Sequence, residues 1–235
     1  MNGIAIPAGI HSASTQPLQS RGDRTVCKRG QRHSSESTLM PMRDTSTVAL
    51  LVIDVQQGLA SPSLGLRNNP QAESNMAILL AAWRARDLPI VHTQHCSTEP
   101  ESPLRPELPG NAFKQEVQPL ADEQVFRKSV NSAFIGTGLE QFLHDSDISQ
   151  LVVVGLTTDH CVSASTRTAS DLGFDVTVIS DATAAFERRG YDGVHYTGDE
   201  IHRVNPVSLD GEFCRIRSTA EILDKMRLSA TRSNR

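Results

Sequence analysis

The sequence predicts an α/β domain with three layers, in which a roughly six-stranded parallel sheet lies between helices in a Rossmann-like arrangement. The first observation is that short β-branched segments alternate with longer amphipathic segments from Thr47 onward. The second is that several short segments are apolar throughout, which is typical of strands buried on both faces of a sheet. The chain has 235 residues, of which 38% are hydrophobic, so it is long enough to build a large core.

The first half of the predicted sheet comes from three strands. Residues 48–54 are a continuous apolar run that ends in a carboxylate, and residues 89–94, which include Ile, Val and Thr, form a second strand. Between them, residues 71–86 have apolar side chains at helical spacing. A loop with five prolines then leads to a short third strand at residues 125–128. A loop of this length inside a compact domain usually has a functional role.

The second half of the chain continues the alternation of helix and strand. Helices are predicted over residues 138–144, 158–172, 194–204 and 219–226, and strands over residues 151–155, 174–180 and 214–217. Thr158 or Asp159 is positioned to cap the helix that follows the Leu-Val-Val-Val-Gly strand, because such side chains accept hydrogen bonds from a helix start. Parallel strands need crossover connections, so the helices should cover both faces of the sheet.

Composition excludes several classes of partner. The chain has a net charge of −4 and 4% aromatic residues, so neither long-range attraction for nucleic acid nor a stacking platform for bases is expected. No stretch approaches the roughly 18 consecutive apolar residues of a membrane span. The four cysteines form no CxxC pair, which favours a soluble protein of a reducing, cytoplasmic compartment. Neither nucleic acid nor a membrane is therefore expected as a partner.

The N-terminal segment differs from the rest of the chain. Residues 1–43 contain six basic residues against two acidic ones and show neither a helical nor a strand period. We interpret residues 1–44 as a disordered basic extension. The alternative is a mitochondrial transit peptide, since such peptides are rich in Arg and Ser and poor in acidic residues. The folded domain is predicted to span residues 45–228, and residues 229–235 to form a frayed tail.

Three chemically different side chains follow strands of the predicted sheet. Asp54 ends the first strand, Lys128 ends the short third strand, and Cys161 lies shortly after the strand at residues 151–155. Each has an ordinary structural explanation: a loop-capping carboxylate, a solvated ammonium and a small buried thiol. Because binding sites of open parallel sheets lie at the carboxyl ends of the strands, the three together predict an active site. The helix start around Cys161 would also favour a thiolate.

The residues around these positions resemble the isochorismatase-like cysteine hydrolases. The resemblance rests on Val-Ile-Asp54-Val-Gln, on Arg-Lys128-Ser-Val-Asn-Ser-Ala-Phe-Ile-Gly-Thr and on Val-Gly-Leu-Thr-Thr-Asp-His-Cys161-Val, in this order. It extends from about Thr47 to Met226. This superfamily includes nicotinamidases, N-carbamoylsarcosine amidases and streptothricin hydrolases. The resemblance implies a six-stranded parallel sheet, homodimers or tetramers, and a catalytic triad of Asp54, Lys128 and Cys161.

The resemblance also implies a mechanism that needs no cofactor. A cis peptide bond between Leu156 and Thr157 would direct the Thr157 N–H inward, where it forms an oxyanion hole with the Cys161 N–H. Asp54 would accept the thiol proton while Lys128 lowers the thiol pKa. Cys161 would then attack an amide or similar carbonyl, and water would hydrolyse the thioester.

The sequence departs from the nicotinamidases at the end of the second strand. Those enzymes bind a metal through an Asp-x-His pair, whereas this chain has His92-Thr-Gln-His95-Cys96. Adjacent extended residues such as His95 and Cys96 point to opposite faces, and no fourth ligand is near, so no metal is predicted. His95 is instead expected as a pocket wall or hydrogen-bond donor. Leu59 stands where nicotinamidases have a ring-stacking aromatic residue, which disfavours a pyridine-like substrate.

The remaining pocket predictions leave alternatives open. Asn131 and Phe134 either line the pocket or belong to a turn and the core. His160 is expected at the pocket rim, because neighbouring helical residues diverge by about 100° and a direct pairing with Cys161 has poor geometry.

The leading functional prediction is hydrolysis of a small amide, ureido compound or lactam. One alternative is vinyl-ether cleavage of isochorismate to a dihydroxybenzoate and pyruvate, although isochorismatases proper commonly have Gly in place of Cys161. The other alternative is a non-catalytic thiol-sensing or interaction protein with the same fold.

Overall fold

The computed structural model describes residues 47–233, and side-chain surroundings for residues 47–228. Within this range the strands are β1 (Thr47–Ile53), β2 (Ile90–His95), β3 (Gln124–Lys128), β4 (Ile148–Leu156), β5 (Asp175–Ala184), β6 (Arg188–Arg189), β7 (His195–Tyr196) and β8 (Arg215–Arg217). The helices are α1 (Ala72–Arg84), α2 (Leu139–Asp145), α3 (Ser163–Asp171), α4 (Gly198–Leu209) and α5 (Thr219–Ser233). The predictions for residues 1–44 and for the last tail residues lie outside this range. None of the helices in residues 47–233 has the length and apolar character that crossing a membrane would require.

Six of the strands form one parallel sheet in the order β3-β2-β1-β4-β5-β8. The predicted three-layer α/β fold is therefore confirmed. The chain builds the sheet outward from β1 in one direction and from β4 in the other. The strand order consequently reverses between β1 and β4, and ligands of open α/β sheets bind beside the carboxyl ends of the strands at such a point.

The sheet is covered on both faces, which explains why β1 is apolar throughout. Leu50 and Val52 point into a core shared with α1 and α5, whereas Leu51 and Ile53 point into a core shared with α2, α3 and α4. All four side chains are buried. Successive residues of a strand face opposite sides, so a strand between two helical layers needs no polar alternation.

The segment after β4 differs from the predicted continuous helix over residues 158–172. It begins with a π-helical turn at Thr158–Val162, and α3 follows it. The predicted cap is wrong, because neither Thr158 nor Asp159 caps the helix through its side chain. Thr158 Oγ1 instead lies 2.8 Å from His202 Nδ1, and Asp159 forms an ion pair with Arg188. Both side chains therefore contact residues from distant segments and not the N–H groups at the helix start.

The last third of the domain also differs in its element boundaries. The predicted helix over residues 194–204 starts too early, because β6 and β7 form an antiparallel hairpin there. Helix α4 begins only after Thr197, whose hydroxyl accepts a hydrogen bond from the Glu200 N–H while the Glu200 carboxylate accepts one from the Thr197 N–H. This reciprocal cap defines the helix start. Helix α5 continues past the predicted end at Met226.

Candidate active site

Asp54 lies at the carboxyl end of β1 in a backbone conformation with φ 51°, and its side chain is 1% exposed. Aspartate is one of the few residues that adopt this left-handed region readily. The neighbouring strand β4 approaches closely through Gly155, where an added Cβ would lie 2.2 Å from the Ile53 carbonyl oxygen. Only a glycine therefore permits β4 to run beside the residue that precedes Asp54.

Lys128, at the end of β3, forms a buried ion pair with Asp54. Its Nζ lies 2.5 Å from Asp54 Oδ2, and the side chains are 0% and 1% exposed. Nζ also donates to the Val130 carbonyl oxygen at 3.0 Å and lies 3.2 Å from His95 Nδ1. The ammonium thus has two hydrogen-bond acceptors besides the carboxylate that balances its charge, which a buried charge needs in order to offset its desolvation.

Cys161 lies in the π-helical turn after β4, beside this ion pair. The sulfur, a carboxylate oxygen of Asp54 and a ring nitrogen of His95 all lie within 4.8 Å of one another. The thiol also donates to Asn131 Oδ1 at 3.8 Å. The structure therefore brings together the three residues that the sequence predicts as catalytic, each from a different strand end.

The protonation of Cys161 differs from the sequence-based expectation. Burial raises the pKa of the thiol, the negative charge of Asp54 raises it further, and Lys128 lowers it only in part, so that the pKa lies at about 12. The expected lowering of the thiol pKa is therefore wrong. At neutral pH the sulfur carries its proton, and the proton has to leave at the moment of nucleophilic attack. Asp54 is the carboxylate positioned to receive it.

Asp54, His95 and Cys161 offer three donor atoms of types that bind metal ions. However, the Lys128 ammonium contacts both Asp54 and His95, so a positive charge already occupies the place where a cation would balance the carboxylate. The donor set therefore does not suit a metal ion. His92, the other histidine of β2, is buried, and its Nε2 lies 2.8 Å from Glu123 Oε2.

The predicted pocket residues lie in different surroundings. Phe134 belongs to the core, where its ring centroid lies 5.9 Å from that of Phe174, so the core alternative describes it. His160 is half exposed, and its Nε2 lies 2.8 Å from Arg188 Nη1. Leu59 is partly buried against the core that contains α1. Of the pocket candidates, Asn131 contacts the Cys161 side chain and His95 contacts the Lys128 side chain.

The backbone between β4 and Cys161 contains a cis peptide bond at Leu156–Thr157. The Thr157 carbonyl oxygen accepts hydrogen bonds from the N–H groups of His160 and Val162, both at 3.2 Å. These bonds hold the turn that carries the sulfur.

Sequence reasoning missed Thr93, whose Oγ1 donates to Asp54 Oδ1 at 2.7 Å. One signal was available, because Thr93 is two residues before His95 and extended residues at this spacing face the same side of a sheet. The contact between His202 and Thr158 gave no comparable signal, since their separation along the chain is large and α4 brings them together.

The three-layer α/β fold and the position of the site at the strand ends are those of the isochorismatase-like hydrolases, and comparison with known proteins agrees. The isochorismatase domain model matches residues 48–197. The isochorismatase family protein YrdC of Bacillus subtilis (strain 168) is 41% identical over 176 residues, which are 75% of this chain and 94% of that protein. The chain belongs to the isochorismatase family.

Two further comparisons extend this result. The solved structure of an isochorismatase-family protein from Chromobacterium violaceum ATCC 12472 is 46% identical, with a TM-score of 0.74, and the match covers 77% of this chain and 93% of that one. A streptothricin hydrolase of Streptomyces noursei is 32% identical over 139 residues, which are 59% of this chain and 50% of that protein.

Proposed function

We propose that this protein is a cysteine-dependent hydrolase that cleaves the C–N bond of a small amide, ureido compound or lactam through a thioester. The observation that carries the proposal is the Cys161 thiol beside the buried ion pair of Asp54 and Lys128. The relationship to a streptothricin hydrolase supports a hydrolytic reaction. The reversal of strand order between β1 and β4 supplies the place where a small substrate binds.

The first step is acylation of the sulfur. The Asp54 carboxylate accepts the thiol proton, the sulfur lone pair forms a bond to the carbonyl carbon, and the carbonyl π electrons move to oxygen. The Thr157 and Cys161 N–H groups donate to this oxyanion, a contribution of about 2.7–4 kcal/mol per donor. Lys128 remains protonated throughout and holds the carboxylate in place.

The second step releases the amine and then the acid. The tetrahedral intermediate collapses, the C–N bond breaks, and the nitrogen takes the proton from Asp54. A water molecule then attacks the thioester while Asp54 again accepts a proton. The carboxylic acid leaves, and the proton returns to the sulfur, so that the thiol and the ion pair are restored.

The placement of Cys161 also bears on the alternative reaction. Vinyl-ether cleavage of isochorismate forms no acyl intermediate and has no need for a thiol, whereas amide hydrolysis through a thioester requires one at this position. The thiol and the carboxylate lie together, which is the arrangement that activates a nucleophile for acyl transfer.

The test is ammonia release from a panel of small amides, ureas and lactams, with isochorismate as a further substrate scored by pyruvate formation. Intact-mass spectrometry during turnover should detect an acyl adduct on the wild-type protein and none on Cys161→Ala. Cys96→Ala is the matched control, and it should retain both turnover and the adduct. A Cys161→Ala variant with activity within tenfold of wild type would exclude the covalent mechanism. Pyruvate formation from isochorismate, with no amide turned over, would favour the vinyl-ether reaction.

A further inference from the structure

Strand β2 carries two side chains to the buried ion pair. Thr93 Oγ1 donates to Asp54 Oδ1 at 2.7 Å, and His95 Nδ1 lies 3.2 Å from Lys128 Nζ. The parallel register sets this arrangement, because Thr93 is paired with Ile53 of β1 and His95 is paired with Lys128 of β3. Since Thr93 and His95 are two residues apart in a strand, both face the side on which the ion pair lies.

The two oxygens of Asp54 are not equivalent. Oδ1 accepts a hydrogen bond from the Thr93 hydroxyl. Oδ2 contacts the Lys128 ammonium, but it accepts no aligned hydrogen bond from any residue between 47 and 228. A carboxylate oxygen has two lone pairs, so Oδ2 keeps the capacity to accept a proton. The Thr93 hydroxyl therefore fixes the orientation of the carboxylate through Oδ1, and Oδ2, which has no aligned donor, is the oxygen with more acceptor capacity for the catalytic proton.

The contact between His95 and Lys128 specifies the state of the imidazole. An ammonium can only donate, so Nδ1 must accept with its lone pair, and the proton of the neutral ring is on Nε2. Burial lowers the pKa of His95, and the positive charge of Lys128 lowers it further, against weaker opposite effects of Asp54 and the Val130 carbonyl. A neutral imidazole is therefore the state that fits this position.

We propose that Thr93 and His95 are positioning residues: Thr93 orients the Asp54 carboxylate toward the Cys161 proton, and His95 holds the Lys128 ammonium against that carboxylate. This inference rests on the proposed function, because it concerns the same proton transfer. Both residues act through the pair that activates the sulfur, so their loss slows the chemical step rather than substrate binding.

The first test needs no substrate. The full chain is treated with iodoacetamide at pH 7, and the carboxamidomethylation rate of Cys161 is followed by peptide mass spectrometry. Thr93→Val should slow this rate about tenfold, because a hydrogen bond to a charged group is lost. Thr93→Ser keeps the hydroxyl and should retain most of the rate. Thr177→Val, a buried threonine of β5, is the matched control and should leave the rate unchanged.

The histidine is tested by a second pair of variants. His95→Leu removes the acceptor and should slow alkylation about tenfold. His95→Asn should recover most of the rate, because an amide oxygen can accept from Nζ in place of Nδ1. With a substrate from the panel, Thr93→Val and His95→Leu should lower kcat and leave KM within about threefold of wild type.

Several results would overturn the inference. The first is an unchanged alkylation rate in Thr93→Val and His95→Leu. The second is that Thr93→Ser and His95→Asn restore no rate while the melting temperatures of all four variants fall alike. The third is a rise in KM at constant kcat. These results are separable from failure of the proposed function. If Cys161→Ala still turns over substrate while the alkylation pattern holds, the covalent mechanism fails and the positioning roles stand.

Discussion

Two buried ion clusters in the described part of the chain pair a carboxylate with cations in different ways. Asp54 in the candidate site is paired with one cation, Lys128. Glu73 on α1 is paired with two, since Arg67 donates to both of its oxygens and Lys114 contacts Oε1. Each oxygen of Glu73 is thus neutralised, whereas Asp54 Oδ2 retains an open lone pair. The difference separates a carboxylate with both oxygens paired from one that keeps acceptor capacity, which the proposed proton transfer requires.

The surroundings of Glu73 explain its protonation. Burial by itself would raise the pKa of this carboxyl, but the hydrogen bonds and positive charges of Arg67 and Lys114 outweigh burial and hold the pKa at about 2. Such a group does not accept a proton near neutral pH. A carboxylate that works as a general base needs fewer fixed cations around it.

The largest effect is expected when the ion pair of the site is changed. Asp54→Asn and Lys128→Met should each lower kcat/KM by more than about a thousandfold, because groups that act as a unit lose most of their catalysis when one is removed. Each single variant also leaves a buried charge unpaired and should lower the free energy of unfolding by about 3–5 kcal/mol. Steady-state kinetics and urea denaturation measure the two effects.

The double variant Asp54→Asn/Lys128→Met separates catalysis from stability. Both charges are removed, so the free energy of unfolding should recover toward the wild-type value while activity stays absent. Activity in the double variant within tenfold of wild type would show that the ion pair serves only the fold.

The second cluster should respond in the opposite way. Glu73→Gln should lower the free energy of unfolding at pH 7 by about 3 kcal/mol and leave kcat/KM of the folded protein within about twofold. Because the pKa of Glu73 is about 2 in the fold, against 4.5 in an unfolded chain, its stabilisation is complete above pH 4.5 and is lost as the pH falls toward 2. Urea denaturation at pH 7, 4 and 3 should therefore show that the difference in free energy of unfolding between wild type and variant decreases as the pH falls. A difference that is constant with pH would contradict the assigned charge state.

The smallest effect is expected from removal of metal ions. Lys128 contacts the two side chains that would otherwise hold a cation with Cys161. Prolonged dialysis against a chelator should therefore leave kcat/KM unchanged, as measured before and after with elemental analysis for zinc and iron. Activity lost together with one equivalent of metal, and restored by adding it back, would reassign His95 as a ligand.

Much of the site was predictable because a parallel sheet has a simple geometry. Asp54, Lys128 and Cys161 each follow a strand, and the carboxyl ends of parallel strands share one edge. Their proximity could be inferred from the alternation of strands and helices alone. The partners of the ion pair were harder to predict, because the contact of Thr93 with Asp54 depends on which strands are neighbours and on their register.

What followed from the sequence alone is the α/β architecture, the apolar strands and the three strand-end residues, because hydrophobic periodicity and strand polarity are local properties of the chain. What depends on the folded molecule is the environment of each group. The pKa of Cys161 is high because distant segments bury the sulfur next to Asp54. Phe134 is a core residue because Phe174 packs against it, and Thr158 is not a helix cap because His202 binds its hydroxyl. Desolvation, packing and hydrogen-bond partners arise from the whole three-dimensional surroundings, and no short window of sequence contains them.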